Sequence, residues 1–112
     1  MSSAVVAYKK AIGADFVPVR MNDIFHADLL ILIGANTAEA HVVFHNQIKK
    51  AKKKGLKIVV IDPRYTYTAK VADLHLPIKV GSDIDLLNLV AKKLIDENLY
   101  NKEYVANHIN NF

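Results

Sequence analysis

The order of hydrophobic and polar positions along the chain predicts a small parallel sheet. Two blocks, Leu29–Ile33 and Ile58–Ile61, are apolar without interruption. Such short runs are typical of parallel strands that are covered on both faces. A third block at 74–78 contains Pro77, which predicts a strand near the sheet edge, because proline cannot donate to a central ladder. Helical spacing between these blocks indicates crossover helices, and hence an α/β fold.

Apolar residues at helical spacing predict four helices. They run from Ser2 or Ser3 to Ile12, over about 39–54 before Gly55, after Ser82, and after Asn101. Ser82 and Asp85 have the spacing of a capping box. The segment 14–27 is loop-like, and 65–72 holds a turn with a short helix at most. Each helix is expected to bury one apolar face. These faces consist of Val5, Tyr8 and Ile12 in the first helix, Ala40, Val43, Phe44, Ile48 and Ala51 in the second, Ile84, Leu87, Ala91, Leu94 and Ile95 in the third, and Tyr104, Val105 and Ile109 in the fourth.

The composition is that of an ordinary globular domain. The chain has 112 residues, of which 52% are hydrophobic and 23% charged, and it has no cysteine. It therefore offers no disulfide and no thiolate for an iron–sulfur cluster, which fits a reducing cytosol. No apolar run has the length of a membrane span, and the lysines near the N-terminus follow the apolar part, the reverse of a signal peptide. We expect one cytoplasmic domain over residues 1–112.

The net charge of +4 raises the question of nucleic-acid binding. Much of the excess lies in five lysines near the end of the second helix: Lys49, Lys50, Lys52, Lys53 and Lys54. Cations at a helix C-terminus interact favourably with the helix dipole. No aromatic or arginine residues are interleaved with them, as single-strand binding would require. A solvated helix end is the preferred interpretation, without a nucleic-acid partner.

Three polar turns follow the three predicted strands, at 34–37, 62–66 and 79–83. In a parallel sheet they meet at the carboxyl edge, where α/β folds bind ligands. In the first turn Gly34 permits close backbone approach, Asn36 and Thr37 offer hydrogen bonds, and backbone N–H groups at the next helix start could hold a pyrophosphate. A full GxGxxG motif is absent, and ordinary turn chemistry explains these residues about equally well.

The second and third turns each carry a carboxylate with two open interpretations. Asp62 either accepts from ribose hydroxyls, as in dinucleotide folds, or caps its own turn. Arg64 could bind a phosphate or stack on a base. Asp83 either accepts two N–H groups from the Watson–Crick edge of guanine or only favours the helix dipole.

His41 and His45 have the spacing of a zinc-binding pair on a helix, but the glutamate of HExxH is absent. Packing, or a cofactor contact by His41, is the preferred interpretation over a metal site. No catalytic triad or carboxylate pair can be argued from the spacing.

Three ordered motifs carry a resemblance that spans nearly the whole chain. They are GANTAEAH at 34–41, IDPRYTYTAKVADLHLPIK at 61–79 and GSDIDLLN at 81–88. Together they resemble the molybdopterin oxidoreductase family, in its formate dehydrogenase and nitrate reductase branch. Enzymes of that branch use bis-molybdopterin guanine dinucleotide with molybdenum or tungsten.

The resemblance implies a three-layer α/β/α Rossmann-like domain of a much longer catalytic subunit, which binds one guanine dinucleotide arm. Three groups of residues would contact the cofactor. They are Gly34, Ala35, Asn36, Thr37, Ala38 and Glu39 around the pyrophosphate, Asp62, Pro63, Arg64 and Tyr65 beside the ribose and base, and Gly81, Ser82 and Asp83 at the guanine. Asp83 would select guanine.

The chain departs from the family pattern in two respects. Val42 stands where family members usually have proline. The family's cysteine motif for an iron–sulfur cluster and its metal ligand lie upstream of Met1. The resemblance therefore implies a cut-out domain or split-gene product, without catalytic or metal-binding residues. Its partners would be the remaining domains of the catalytic subunit and electron-transfer subunits.

Formate oxidation to carbon dioxide is the first expectation for the intact enzyme, since ENLYNKEYV leans toward formate dehydrogenases. Nitrate reduction is the close alternative, since MSSAV leans toward nitrate reductases. The intact enzyme would be cytoplasmic, with the periplasm as the alternative. A stand-alone, non-catalytic module that binds a nucleotide or a partner is the hypothesis of another class.

Overall fold

The structure, a computed structural model, describes residues 2–110. It divides into two compact units, one ending at Leu76 and one beginning at Pro77, and each is described by itself. A single domain over 1–112 stays a prediction. The elements are α1 (Ser2–Ile12), a first 3₁₀ helix (Met21–His26), β1 (Leu29–Ile33), α2 (Thr37–Ala40), α3 (Val42–Lys53), β2 (Lys57–Ile61), a second 3₁₀ helix (Ala69–Val71), β3 (Leu74–Leu76), α4 (Asp83–Asp96) and α5 (Lys102–His108).

The three strands form one parallel sheet in the order β1-β2-β3. Leu29 pairs with Lys57 at the start of β1, and Val59 pairs with Leu74 at the start of β3. The predicted α/β fold with a small parallel sheet is therefore confirmed, as is the edge position of β3. Over residues 2–110, no helix is long and apolar enough to cross a membrane.

One face of the sheet carries the hydrophobic core. Residues of β1 and β2 pack there against α3 and the first 3₁₀ helix, and Ile48 of α3 is fully buried. The side chains of a strand alternate between the two faces of a sheet. The core consists of Ile24, Leu32, Ile48, Ala51, Leu56, Ile58, Val60 and Ala69.

The other face of β1 is largely exposed, so the prediction that both faces are covered is wrong for this chain. Leu29 is 51% exposed, Ile31 47% and Ile33 36%. They alternate with Leu30 and Leu32, which face the core. A continuous apolar run indicates a strand with two apolar faces, but it does not identify the residues that pack against each face.

The predicted helix over 39–54 is two helices, because His41 leaves the helical conformation. Its φ of −140° and ψ of 59° end α2 and begin α3. Val42 is thus the first residue of α3, the position at which proline fits a helix best. Val43 is 75% exposed, so its predicted core position is wrong, whereas Ile48 and Ala51 are buried as expected.

Helices α1 and α4 are less buried than predicted. Tyr8 and Ile12 of α1 are exposed, and α1 already begins at Ser2, so Ser3 does not cap it. None of the described residues of α4 is buried, so its predicted core stripe is wrong. In α5, Asn101 caps the helix by accepting from the Tyr104 N–H at 2.9 Å.

Lys52 departs from the predicted solvated helix end. Its Nζ lies 3.0 Å from Asp73 Oδ1 and donates to the Val71 carbonyl at 2.7 Å. Asp73 in turn accepts from the Ile58 N–H at 2.7 Å. These bonds tie the end of α3 to the segment that enters β3. The other four lysines of the cluster are exposed, as expected.

Asp73 is expected to make the stability of the fold sensitive to acid. The Ile58 N–H, and then Lys52, hold the pKa of the Asp73 carboxyl below its ordinary value. Its contribution is therefore complete above about pH 4 and is lost as the pH falls through the lowered folded-state pKa. Urea unfolding at a series of acidic pH values should show a shallower loss of stability in Asp73→Asn than in the wild type. Equal pH slopes in both proteins would contradict this assignment.

Candidate functional site

The first and second polar turns meet at the carboxyl ends of β1 and β2. A cavity of about 370 Å³ lies between them, lined by Asn36, Glu39, Arg64, Tyr65, Thr66, Tyr67 and Lys70. The prediction that polar turns converge at the sheet edge is thus confirmed for these two turns. The third turn belongs to the second unit.

Gly34 shapes the first turn. Its φ of +59° is a conformation that favours glycine, and its N–H donates to the Ile61 carbonyl at 2.9 Å. A Cβ placed on Gly34 would meet nothing within 4 Å. The backbone conformation, rather than crowding, requires glycine here, and the open space would let a ligand approach the main chain.

Thr68 connects the first turn with the segment 66–70 through hydrogen bonds. This residue is fully buried, and its hydroxyl donates to Asn36 Oδ1 at 2.8 Å. Thr68 Oγ1 also accepts from the Ala38 N–H at 3.0 Å and lies 3.5 Å from Thr37 Oγ1. Four polar groups of the first turn and the 66–70 segment therefore form one network.

His45 extends this network. Its Nδ1 lies 3.1 Å from Thr37 Oγ1, and the residue is 8% exposed. Burial, and then Lys49, lower the pKa of His45, which favours the neutral ring. His41 is exposed and non-helical, and it lines a separate apolar cavity of about 420 Å³ with Met21 and Phe44. Within residues 2–110 no cluster of three metal-binding side chains is found.

Three of the four backbone N–H groups of α2 are already used within the fold. The Ala38 N–H donates to Thr68, and the N–H groups of Glu39 and Ala40 donate to the Asn36 carbonyl. Over residues 2–110, no acceptor is found for the N–H groups of Ala35, Asn36 and Thr37. Backbone binding of an anion would therefore rely on the N–H groups of residues 35–37, of which only Thr37 belongs to α2.

Asp62 caps its own turn, which is one of its two predicted roles. It is 5% exposed, and its Oδ1 accepts from the Arg64 N–H at 2.8 Å. Its carbonyl accepts from His75 Nε2 at 2.9 Å, and the His75 ring packs edge-on against Tyr65, with centroids 5.3 Å apart. The turn is thus anchored to β3, while Pro63, Arg64 and Tyr65 are exposed.

The third turn has the expected glycine and helix start, but not the capping box. Gly81 has a φ of +87°, and α4 begins at Asp83. Ser82 is the N-cap residue, yet its hydroxyl donates to the Lys79 carbonyl at 2.7 Å and accepts no helical N–H. Asp83 is half-buried in the first turn of α4.

Three residues of the site, Tyr67, Thr68 and Lys70, lie outside the three predicted polar turns, and Thr66 lies in the second predicted turn but was given no role. Lys70 lies over the Tyr67 ring, 4.2 Å from its centroid, and Thr66 Oγ1 accepts from the Ala69 N–H at 3.2 Å. The available signal was the alternation of aromatic and threonine residues in YTYT at 65–68, which places the threonines inward and the tyrosines outward.

The chain is similar to known proteins over nearly its whole length. The sequence profile described as molybdopterin oxidoreductase matches residues 2–107. A nitrate reductase of Synechocystis sp. is 44% identical, with 100% of this chain and 16% of that protein covered. The F420-dependent formate dehydrogenase 1 subunit alpha of Methanococcus maripaludis is 42% identical, with 95% of this chain and 16% of that protein covered.

A solved structure agrees with the sequence comparisons. The acetylene hydratase of Pelobacter acetylenicus superposes with a TM-score of 0.67 at 34% identity, over 78% of this chain and 14% of that one. The chain spans about 16% of the length of these two curated relatives. It belongs to the molybdopterin oxidoreductase family.

Proposed function

We propose that the chain is a cofactor-binding domain that holds a guanine nucleotide arm of bis-molybdopterin guanine dinucleotide within a longer oxidoreductase. The observation that carries the proposal is the cavity between the first two turns, at the edge of the sheet where α/β folds bind ligands. When bound, the cofactor supplies redox chemistry at molybdenum or tungsten. The part of this chain is to bind and orient the nucleotide.

The groups around the cavity suit a phosphorylated ligand. Arg64 and Lys70 are cations, Glu39 is the single carboxylate among the lining residues, and Asn36 adds an amide. Cationic side chains form strong hydrogen bonds with phosphate oxygens. Tyr65 and Tyr67 are 67% and 61% exposed, so their rings are accessible for stacking on a base. The backbone at Gly34 and 35–37 adds open space and available N–H groups.

Gly81, Ser82 and Asp83 are proposed to bind the guanine base, as the resemblance implies. A carboxylate can accept two parallel N–H bonds from the Watson–Crick edge of guanine, whereas adenine offers no such pair. The position of Asp83 at the start of α4 and its partial exposure are compatible with this role.

The substrate of the longer protein is proposed as formate, with nitrate as the alternative. The names of the relatives include nitrate reductase and formate dehydrogenase, and the structural neighbour is named acetylene hydratase. One domain type thus occurs in proteins named for three reactions, so the substrate is chosen elsewhere. Because this chain has no cysteine, an iron–sulfur cluster would need ligands from other segments.

The remaining parts of the longer catalytic subunit are the proposed partners, with electron-transfer subunits beyond them. The relatives extend far beyond the matched region. The exposed face of β1 and the apolar residues of α4, including Ile84 at 71% exposure, are surfaces that such parts would cover.

Titration of the chain with GDP and ADP, followed by amide NMR shifts, tests the nucleotide proposal. We expect weak binding without turnover, with GDP-selective shifts at Asn36, Asp62 and Asp83. Replacing Asp83 by asparagine should remove a preference of roughly tenfold, since a good bidentate pair gives about 1–3 kcal/mol of discrimination. Asp85→Asn, in the same first turn of α4, is the matched control.

Three other results of this titration would contradict the proposed guanine site or the role of Asp83. Equal shifts with ADP and GDP would exclude Asp83 as the guanine selector. Loss of the preference in the Asp85 variant as well would indicate a general charge effect. No shift at millimolar GDP would show that this chain alone does not form the site.

A further inference from the structure

We infer that Thr68 is a positioning residue that fixes the Asn36 side-chain amide, so that Asn36 presents its N–H groups, and not its carbonyl oxygen, to an anionic group in the cavity. Nothing in the motifs assigns a role to Thr68. The inference rests on the proposed nucleotide function for the identity of the ligand, but not for the arrangement of the two side chains.

The direction of the hydrogen bonds follows from counting protons. A threonine hydroxyl has one proton and can accept further hydrogen bonds. Thr68 Oγ1 accepts from the Ala38 N–H at 3.0 Å, because a backbone N–H can only donate. Its own proton then goes to Asn36 Oδ1 at 2.8 Å, which is much closer than Thr37 Oγ1 at 3.5 Å.

Asn36 therefore has its carbonyl oxygen engaged within the protein. The two N–H groups on Nδ2 are the remaining hydrogen-bonding capacity of this side chain on the donor side. Asn36 lines the same cavity as Arg64 and Lys70. An amide donor beside two cations suits a phosphate oxygen, which can only accept from them.

The burial of Thr68 explains why this arrangement would persist. Thr68 is fully buried, and Thr37 next to it is 4% exposed, so water does not compete for their hydroxyls. His45 Nδ1 holds Thr37 from the other side at 3.1 Å. The network joins residues 32 positions apart, and it aligns the first turn with the segment that carries Lys70.

Inorganic pyrophosphate, titrated into the full chain and followed by NMR, is the probe for the donor role. Asn36→Asp keeps an oxygen for the Thr68 hydroxyl but turns a second oxygen toward the cavity. We expect it to fold as the wild type does and to bind pyrophosphate at least roughly tenfold more weakly. Unchanged affinity would overturn the donor role of Asn36.

Thr68→Val and Thr68→Ser test the positioning role. Valine matches the shape of threonine without its hydroxyl, and serine keeps the hydroxyl. Without any ligand, the Asn36 side-chain N–H₂ signals should move toward free-amide positions in Thr68→Val and stay at wild-type positions in Thr68→Ser. Pyrophosphate affinity should fall severalfold in the valine variant and return in the serine variant. Wild-type amide signals in Thr68→Val would overturn the inference.

The two arms separate this inference from the proposed function. If the wild type binds neither pyrophosphate nor GDP, the nucleotide proposal fails for this chain. The ligand-free amide signals would still support or overturn the positioning of Asn36 by Thr68. Should Thr68→Val fail to fold, the ligand-free Asn36 amide signals of Thr68→Ala, which also lacks the hydroxyl, decide the positioning role, and Asn36→Asp decides the donor role.

Discussion

Replacing Ile48 by alanine is expected to lower the free energy of unfolding by about 2–5 kcal/mol. Ile48 is fully buried in α3, where it packs in the core cluster that includes Ile58 and Val60 of β2. The substitution removes buried methyl and methylene groups and leaves a cavity that the neighbours fill only in part. Urea unfolding, followed by circular dichroism, would measure the change.

Val43→Ala is the matched control on the same helix. Val43 lies five residues before Ile48 but is 75% exposed, so its truncation should change stability by no more than about 0.5 kcal/mol. Alanine is also the better helix former, which offsets the lost contacts. If the two variants proved equally unstable, the core face of α3 described by the structure would be wrong.

The strands and their parallel direction were predictable because the relevant signal is local. Unbroken apolar runs of strand length predicted Leu29–Ile33 as observed, and placed β2 within one residue of its observed start at Lys57. Three turns after three parallel strands then predicted the convergence of Asn36 with Arg64. In each case the pattern of a few neighbouring residues contains the information.

The failures concern information that neighbouring residues do not carry. The break at His41 depends on a backbone conformation that helical spacing of apolar residues does not reveal. The exposed face of β1 depends on what covers it. Thr68 reaches Asn36 across 32 positions, so no local pattern connects them. Hydrogen bonds between distant turns have to be observed in the structure.

Asp62 offers the sharper test at the site itself, because its two interpretations lead to different results. Replacing Asp62 by alanine removes the acceptor of the part-buried hydrogen bond that the Arg64 N–H donates at 2.8 Å. An unsatisfied partner of this kind costs roughly 1–3 kcal/mol of stability. Asp62→Asn keeps an oxygen at the same place, so its free energy of unfolding should stay close to that of the wild type.

Ligand binding by the same two variants separates turn capping from ribose binding. If Asp62 acts by capping the turn, Asp62→Ala displaces Arg64 and weakens GDP and inorganic pyrophosphate by the same factor, while Asp62→Asn weakens neither. We expect this result, since the Arg64 N–H already engages one carboxylate oxygen and the residue is 5% exposed. If Asp62 also accepts from a ribose, Asp62→Asn should weaken GDP but leave pyrophosphate unchanged, because only GDP carries the sugar. Equal instability of both variants would show instead that the charge of Asp62, and not its oxygen as an acceptor, holds the turn.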